Sequence, residues 1–173
     1  GDAVIAFANT NIASATAMIT WLFYERMLGR KMSAIGACVG AVVGLVAITP
    51  AAGYVNIGSA MFIGFAAAII SNIAIYLKNK SSVDDTLDVF PSHGIGGVTG
   101  MILTAVFANN VGLIFGQTTT FYYQMLALVM TAVFAFGGSM IIFKIVHMVL
   151  PMRVREDQEE RGLDLSQHGE FIE

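Results

Sequence analysis

Charged residues are confined to a few short clusters, and between them run three long uncharged stretches: Asp2 to Glu25, Lys31 to Lys78, and Asp88 to Lys144. Uncharged apolar runs of that length are the pattern of membrane-spanning helices. Turn signals subdivide them. Thr49-Pro50-Ala51-Ala52-Gly53-Tyr54 breaks the second stretch, and Asn109-Asn110-Val111-Gly112 through Gln117 breaks the third. The pattern therefore predicts five helices, over 3–24, 33–48, 57–77, 91–108 and 120–149. The second and fourth sit near the lower limit of about 17 residues for a span. The fifth, at about 1.5 Å per residue, is near 45 Å long and must tilt or project beyond the bilayer. The expected fold is an all-α, polytopic transmembrane helix bundle, with a membrane region over 1–150 and a polar tail over 151–173.

Composition agrees with this pattern and removes several alternatives. Hydrophobic residues make up 56% and charged residues 12%, whereas soluble chains run nearer to a quarter charged. Mean hydropathy is +0.73. Most of the net charge of −3 arises in the tail, and no basic patch is present to bind nucleic acid. Cys38 is alone, cannot form an intramolecular disulfide, and reads as a small packing residue rather than a reactive thiol. No metal-ligand cluster, glycine-rich phosphate loop or nucleophile elbow is visible, so an enzyme, a metal site and a cofactor are not expected. Gly1-Asp2 opens almost directly onto a hydrophobic segment, without an initiator Met or a signal-peptide layout. This suggests a piece of something longer, or a processed product.

The basic residues fix an orientation. Arg26, Arg30 and Lys31 follow the first span, Lys78 and Lys80 the third, and Lys144, Arg153, Arg155 and Arg161 end or follow the fifth. All lie on one side of the membrane, which the positive-inside rule makes the cytoplasm. The tail is then cytoplasmic. Gly36, Gly40 and Gly44 recur every four residues along the second helix, and Gly96 and Gly100 repeat the spacing on the fourth. Such stripes let another backbone approach closely.

His93 is the one histidine between Val89 and Phe143, a stretch without Asp, Glu, Lys or Arg. Intramembrane ionisable residues usually face a cavity or a partner. Two readings stay open: a structural hydrogen bond to a neighbouring helix, or proton handling through the two ring nitrogens. Pro91 places His93 in the first turn of a helix, and Gly94, Gly96 and Gly97 leave room beside it. Asp84, Asp85 and Asp88 precede that helix, where carboxylates cap free N–H groups and favour the positive end of the dipole.

The segment Asp84-Asp85…Asp88-Val89-Phe90…His93-Gly94-Ile95-Gly96-Gly97 resembles the motif of the ammonium transporter (Amt/Mep/Rh) family that carries one of two pore histidines. Gly44-Leu45-Val46-Ala47-Ile48-Thr49-Pro50-Ala51-Ala52-Gly53-Tyr54-Val55 is similar to a second family segment. Asn9-Thr10 through Trp21 and Glu25 resembles the family's seventh helix, and Gly162 through Glu170 its cytoplasmic tail.

The resemblance implies an eleven-helix protomer in a homotrimer embedded in the lipid bilayer of the cell membrane, with this chain supplying helices seven to eleven. His93 is then a pore histidine, Val89, Thr49 and Phe90 line the path, and Asp88, Asp84 and Asp85 are structural residues beside it. The implied function is to bind NH4+ and conduct ammonia and a proton, the alternative being an ammonium-sensing receptor module. Carrying bare NH4+ through hydrocarbon costs on the order of tens of kcal/mol in the Born limit, so giving up the proton has a clear physical advantage. The first six helices, with the second pore histidine and the outer aromatic site, have no counterpart here. Pro91-Ser92 also stands where the family commonly has a small apolar pair. In the tail, Gly162 and Ser166 match regulatory positions. A phosphate on Ser166 adds about −1.5 to −2 charge and would repel Asp164 and Glu170. A PII-type signal protein is the implied cytoplasmic partner.

The orientation predicts an asymmetric labelling pattern. In a Cys38→Ser background, Ser81→Cys reacts with a membrane-impermeant maleimide only after cells are opened, and Asn110→Cys reacts from outside. The reverse pattern would invert the topology.

Overall fold

Helices form where the uncharged pattern places them. The computed structural model describes residues 2–171. Two compact units divide the chain, the first ending at Val129 and the second beginning at Met130. The first holds α1 (Asp2–Met27), α2 (Ala34–Ile48), α3 (Ile57–Lys78), a π-helical turn over Phe90–Ile95, α4 (Gly96–Phe107) and a 3-10 turn over Leu113–Phe115. Helix α5 (Thr118–Val149) runs across the boundary between the units. The second unit also holds α6 (Glu156–Glu160) and a π turn over Asp164–His168.

Local chemistry sets the ends. The Ser33 hydroxyl accepts the Gly36 N–H at 2.9 Å and starts α2. The Asn56 side chain accepts the Ser59 N–H at 2.9 Å and starts α3. These are N-caps that satisfy donors a helix start leaves free. Asn110, at φ 63°, turns the chain after α4.

Among the described residues, four segments are long and apolar enough to cross a bilayer: α1, α3, Phe90–Phe107 and α5. Helix α2 is shorter, at 15 residues, or about 22 Å against a hydrocarbon core of about 30 Å. The fourth predicted helix differs in kind from the expectation. Its first turns are π-helical rather than α-helical. Pro91, which has no N–H to donate, lies inside this turn, while the Ser92 N–H beside it still makes an α-type bond to the Asp88 carbonyl at 3.0 Å.

The bundle core is built from small residues. Asn9, Ala13, Ala17 and Trp21 form the buried stripe of α1. Against it lie Gly36, Gly40 and Gly44 of α2, all buried. A Cβ on Gly40 would stand 2.6 Å from the Trp21 Cβ, and one on Gly44 would stand 2.6 Å from the Ala13 carbonyl oxygen. A Cβ on Gly64 of α3 would strike the same Ala13 carbonyl, and one on Gly100 of α4 would strike the carbonyl of Ala47. Gly96 is looser: its nearest neighbours, Ser71, Val46 and Val43, are at ordinary contact distance. Cys38 does not pack in the core as expected, because it lies on the exposed side of α2. The buried stripe there is set by the glycines, and position 38 falls away from it.

Asn9 ties the α2–α3 connection to α1. It is fully buried, and its side-chain amide donates to the carbonyls of Ala52 and Val55, each at 2.8 Å. The Asn109 N–H donates to the Tyr54 carbonyl at 2.7 Å, so the end of α4 grips the same loop.

Gly100→Ala is expected to destabilise the bundle by about 1–3 kcal/mol through overpacking. Gly53→Ala, with open space around it, is expected to be neutral. Thermal unfolding in detergent measures both.

Candidate functional site

The site is built where α3 ends and the Phe90–Ile95 turn begins. Asp85 starts that turn: its carboxylate accepts the Val89 N–H at 2.9 Å and the Phe90 N–H at 2.8 Å. These bonds, Phe90 first and Val89 second, hold the Asp85 carboxyl below the ordinary carboxylate range.

The three aspartates divide their labour, whereas the sequence treated them as a capping group. Asp85 alone caps. Asp84 is exposed, and its carboxylate accepts the Thr86 hydroxyl at 3.3 Å. Asp88 pairs with Lys78, its Oδ1 lying 2.7 Å from Nζ with both side chains largely shielded. The same Nζ donates to the Asp85 carbonyl at 2.8 Å. Asp88 adopts φ 53°, a left-handed conformation that Asp tolerates better than most residues.

His93 sits in the π turn between buried and open surroundings. Pro91 and Ser92 are buried, and His93, Val89 and Phe90 are exposed. Single π turns inside helices recur at functional sites, and this one carries both Phe90 and His93 directly before α4. The glycines nearby serve other neighbours than the imidazole. The nearest atoms to a Cβ on Gly94 are those of the Phe90 ring, while Gly96 and Gly97 face α2, and Gly96 also faces α3.

Thr49 is exposed at the end of α2, with its hydroxyl donating back to the Leu45 carbonyl at 2.7 Å. The pairs Val46–Gly97 and Ala47–Gly100 show that α2 and α4 run in the same direction. Thr49 lies beyond one end of that contact and His93 before the other, roughly two helical turns apart. The structure thus gathers Val89, Phe90 and His93 into one turn and leaves Thr49 apart from them. Among the described residues, no group of three or more His, Cys, Asp or Glu side chains is placed to hold a metal ion.

Sequence reading missed Lys78 and Asn9. In the sequence Lys78 reads as a topogenic charge, although its spacing from Asp85 and Asp88 allows a pairing. Asn9 had one available signal, an amide inside an otherwise apolar stripe.

In the second unit, the Ser166 hydroxyl donates to the Gln158 carbonyl at 3.1 Å. Gly162, at φ 86°, makes the left-handed turn after α6 that glycine adopts readily.

Several helices apolar enough to span a bilayer, with α1, α2 and α3 packed through glycine and alanine and α4 seated on α2 and α3, define a multi-pass membrane protein. Residues 1–173 match the Ammonium Transporter Family, and the chain belongs to that family. It is 40% identical to the "Ammonium transporter" of Bacillus subtilis, over 98% of this chain and 44% of that protein. Its fold is similar to the crystal structure of the N240A mutant of Candida albicans Mep2, with TM-score 0.84 and 35% identity over 96% of this chain and 40% of the other. It is also similar to a structure titled "Sensor Amt Protein", with TM-score 0.83 and 28% identity over 96% of this chain and 42% of the other. The chain thus spans less than half the length of these relatives.

The Asp85 cap has a definite pH dependence. Because the folded carboxyl titrates below its unfolded value of about 3.9, its contribution is complete above that pH and is lost as pH falls through the lowered value. The unfolding temperature of the wild type should fall more steeply below about pH 4 than that of Asp85→Asn. Parallel curves would remove the cap from the stability of this segment.

Proposed function

We propose that this chain is the C-terminal part, helices seven to eleven with a cytoplasmic tail, of a trimeric ammonium transporter. It binds NH4+ and passes ammonia and a proton separately through a pore lined by His93. The observation that carries this reading is the placement of His93: an exposed imidazole in a π turn whose start, at Val89 and Phe90, is capped by Asp85, with its neighbours Pro91 and Ser92 buried. Val89 and Phe90 share the same open turn and supply apolar walls for a neutral molecule. Separating the proton from ammonia avoids moving a bare cation through a low-dielectric path, and a neutral imidazole offers one nitrogen as donor and the other as acceptor.

A second reading is supported by the likeness to the structure titled "Sensor Amt Protein": the same pore segment would then bind ammonium to report its presence rather than to move it. The two differ in net flux.

Uptake of labelled methylammonium by the complete protein, expressed in a transporter-deficient yeast, tests both. The wild type should accumulate the label, and His93→Ala should lower uptake by about 10²-fold, the usual effect of deleting a group that hands on a proton. Normal uptake by His93→Ala would remove His93 from the path. Binding of ammonium without uptake by the wild type would favour the sensor.

A further inference from the structure

The 81–88 connection reaches His93 from the end of α3, and the ties from that connection to α3 converge on one residue. The Ser81 N–H and hydroxyl both donate to the Lys78 carbonyl, at 2.8 and 2.7 Å. Farther along, Lys78 Nζ donates to the Asp85 carbonyl at 2.8 Å and lies 2.7 Å from the Asp88 carboxylate. The Asp85 carbonyl also accepts the Asp88 N–H at 3.1 Å, and the Asp88 carbonyl accepts the Ser92 N–H at 3.0 Å. A continuous path of bonds therefore runs from Nζ through Asp85 and Asp88 to the residue next to His93.

The pairing has a specific structural task. Asp88 holds φ 53°, which an L-residue keeps only where its surroundings over-determine it. Among the described residues, Lys78 is the cation paired with its carboxylate, and that ammonium also fixes the carbonyl one turn earlier. Lys78 is only 14% exposed and Asp88 27%, so the attraction is less screened than that of a surface pair. Removing the ammonium leaves the Asp88 carboxylate and the Asp85 carbonyl without that donor, and the left-handed turn without its lateral restraint.

We propose that Lys78 is a positioning residue for the pore: by clasping Asp85 and Asp88 to the end of α3, it fixes the π turn and hence the place of His93. It acts through the backbone and does not itself touch the substrate. The proposal rests on the pore role of His93, so its test needs a readout of the turn that is independent of transport.

Ser92, buried at 5% exposure, supplies that readout. In the complete protein with Cys38→Ser, Ser92→Cys is expected to react slowly with a small thiol reagent. Adding Lys78→Met should speed the reaction, and Lys78→Arg, which keeps the charge, should return it toward the slow rate. In parallel, Lys78→Met should lower the maximal rate of methylammonium uptake, by up to about 10²-fold for a misplaced transfer group. It should leave KM and the amount of protein in the membrane unchanged. Combining it with Asp88→Asn should add little, because both changes break one pair. An unchanged labelling rate in Lys78→Met overturns the clasp whatever transport does. Faster labelling together with normal uptake by His93→Ala shows instead that the pore reading has failed, and the positioning role falls with it.

Discussion

Three helices meet on a single carbonyl. The backbone of α1 at Ala13 stands so close to Gly44 of α2 and Gly64 of α3 that neither position has space for one carbon atom. In a bilayer the surrounding lipid is as apolar as the side chains, so helices gain little from hiding hydrophobic surface and associate through close packing instead. Contact between backbones is what alanine and glycine make possible, and the fully buried alanines at 13, 17, 47, 60, 67 and 68 extend the same solution through the bundle. Gly100 repeats it between α4 and α2, so the element that follows the π turn is seated by the same device.

Close packing fixes the helices but leaves their connections to polar groups. Asn9 and Asn109 bind the carbonyls of the 52–55 loop from two sides. At the opposite end of α3, Lys78, Asp85 and Asp88 perform the equivalent task for the approach to His93. The two arrangements differ in how they withstand their surroundings. The amide clamp is uncharged and buried, whereas the Lys78 clasp uses charges beside the polar boundary, where burial is incomplete.

Much of this was legible from spacing alone. Segregated charge located the helices because a bilayer penalises unpaired charge far more sharply than water does. The Gly36–Gly40–Gly44 repeat disclosed a close helix contact, though not that α1 makes it, because a four-residue period stays on one helical face. Gly64 lies on a similar four-residue stripe, Ala60–Gly64–Ala68, but alanines in an apolar helix are too common to single it out. The π turn was hidden as well: Pro91 signals a helix start, but nothing in the residues around it distinguishes α from π geometry. The sequence shows three aspartates with one chemistry, and only the path of the chain assigns them three tasks.

The Asn9 clamp has a consequence for chemical ageing. Both contacts depend on the NH2 group of an amide, since they end on carbonyl oxygens. Deamidation to Asp exchanges that nitrogen for oxygen while scarcely altering shape, and an ionised carboxylate has no proton to donate. Two attractive contacts in the most buried part of α1 would become oxygen facing oxygen. An exchange of one nitrogen for one oxygen, invisible to packing, would thus release the 52–55 loop from the helix that holds it.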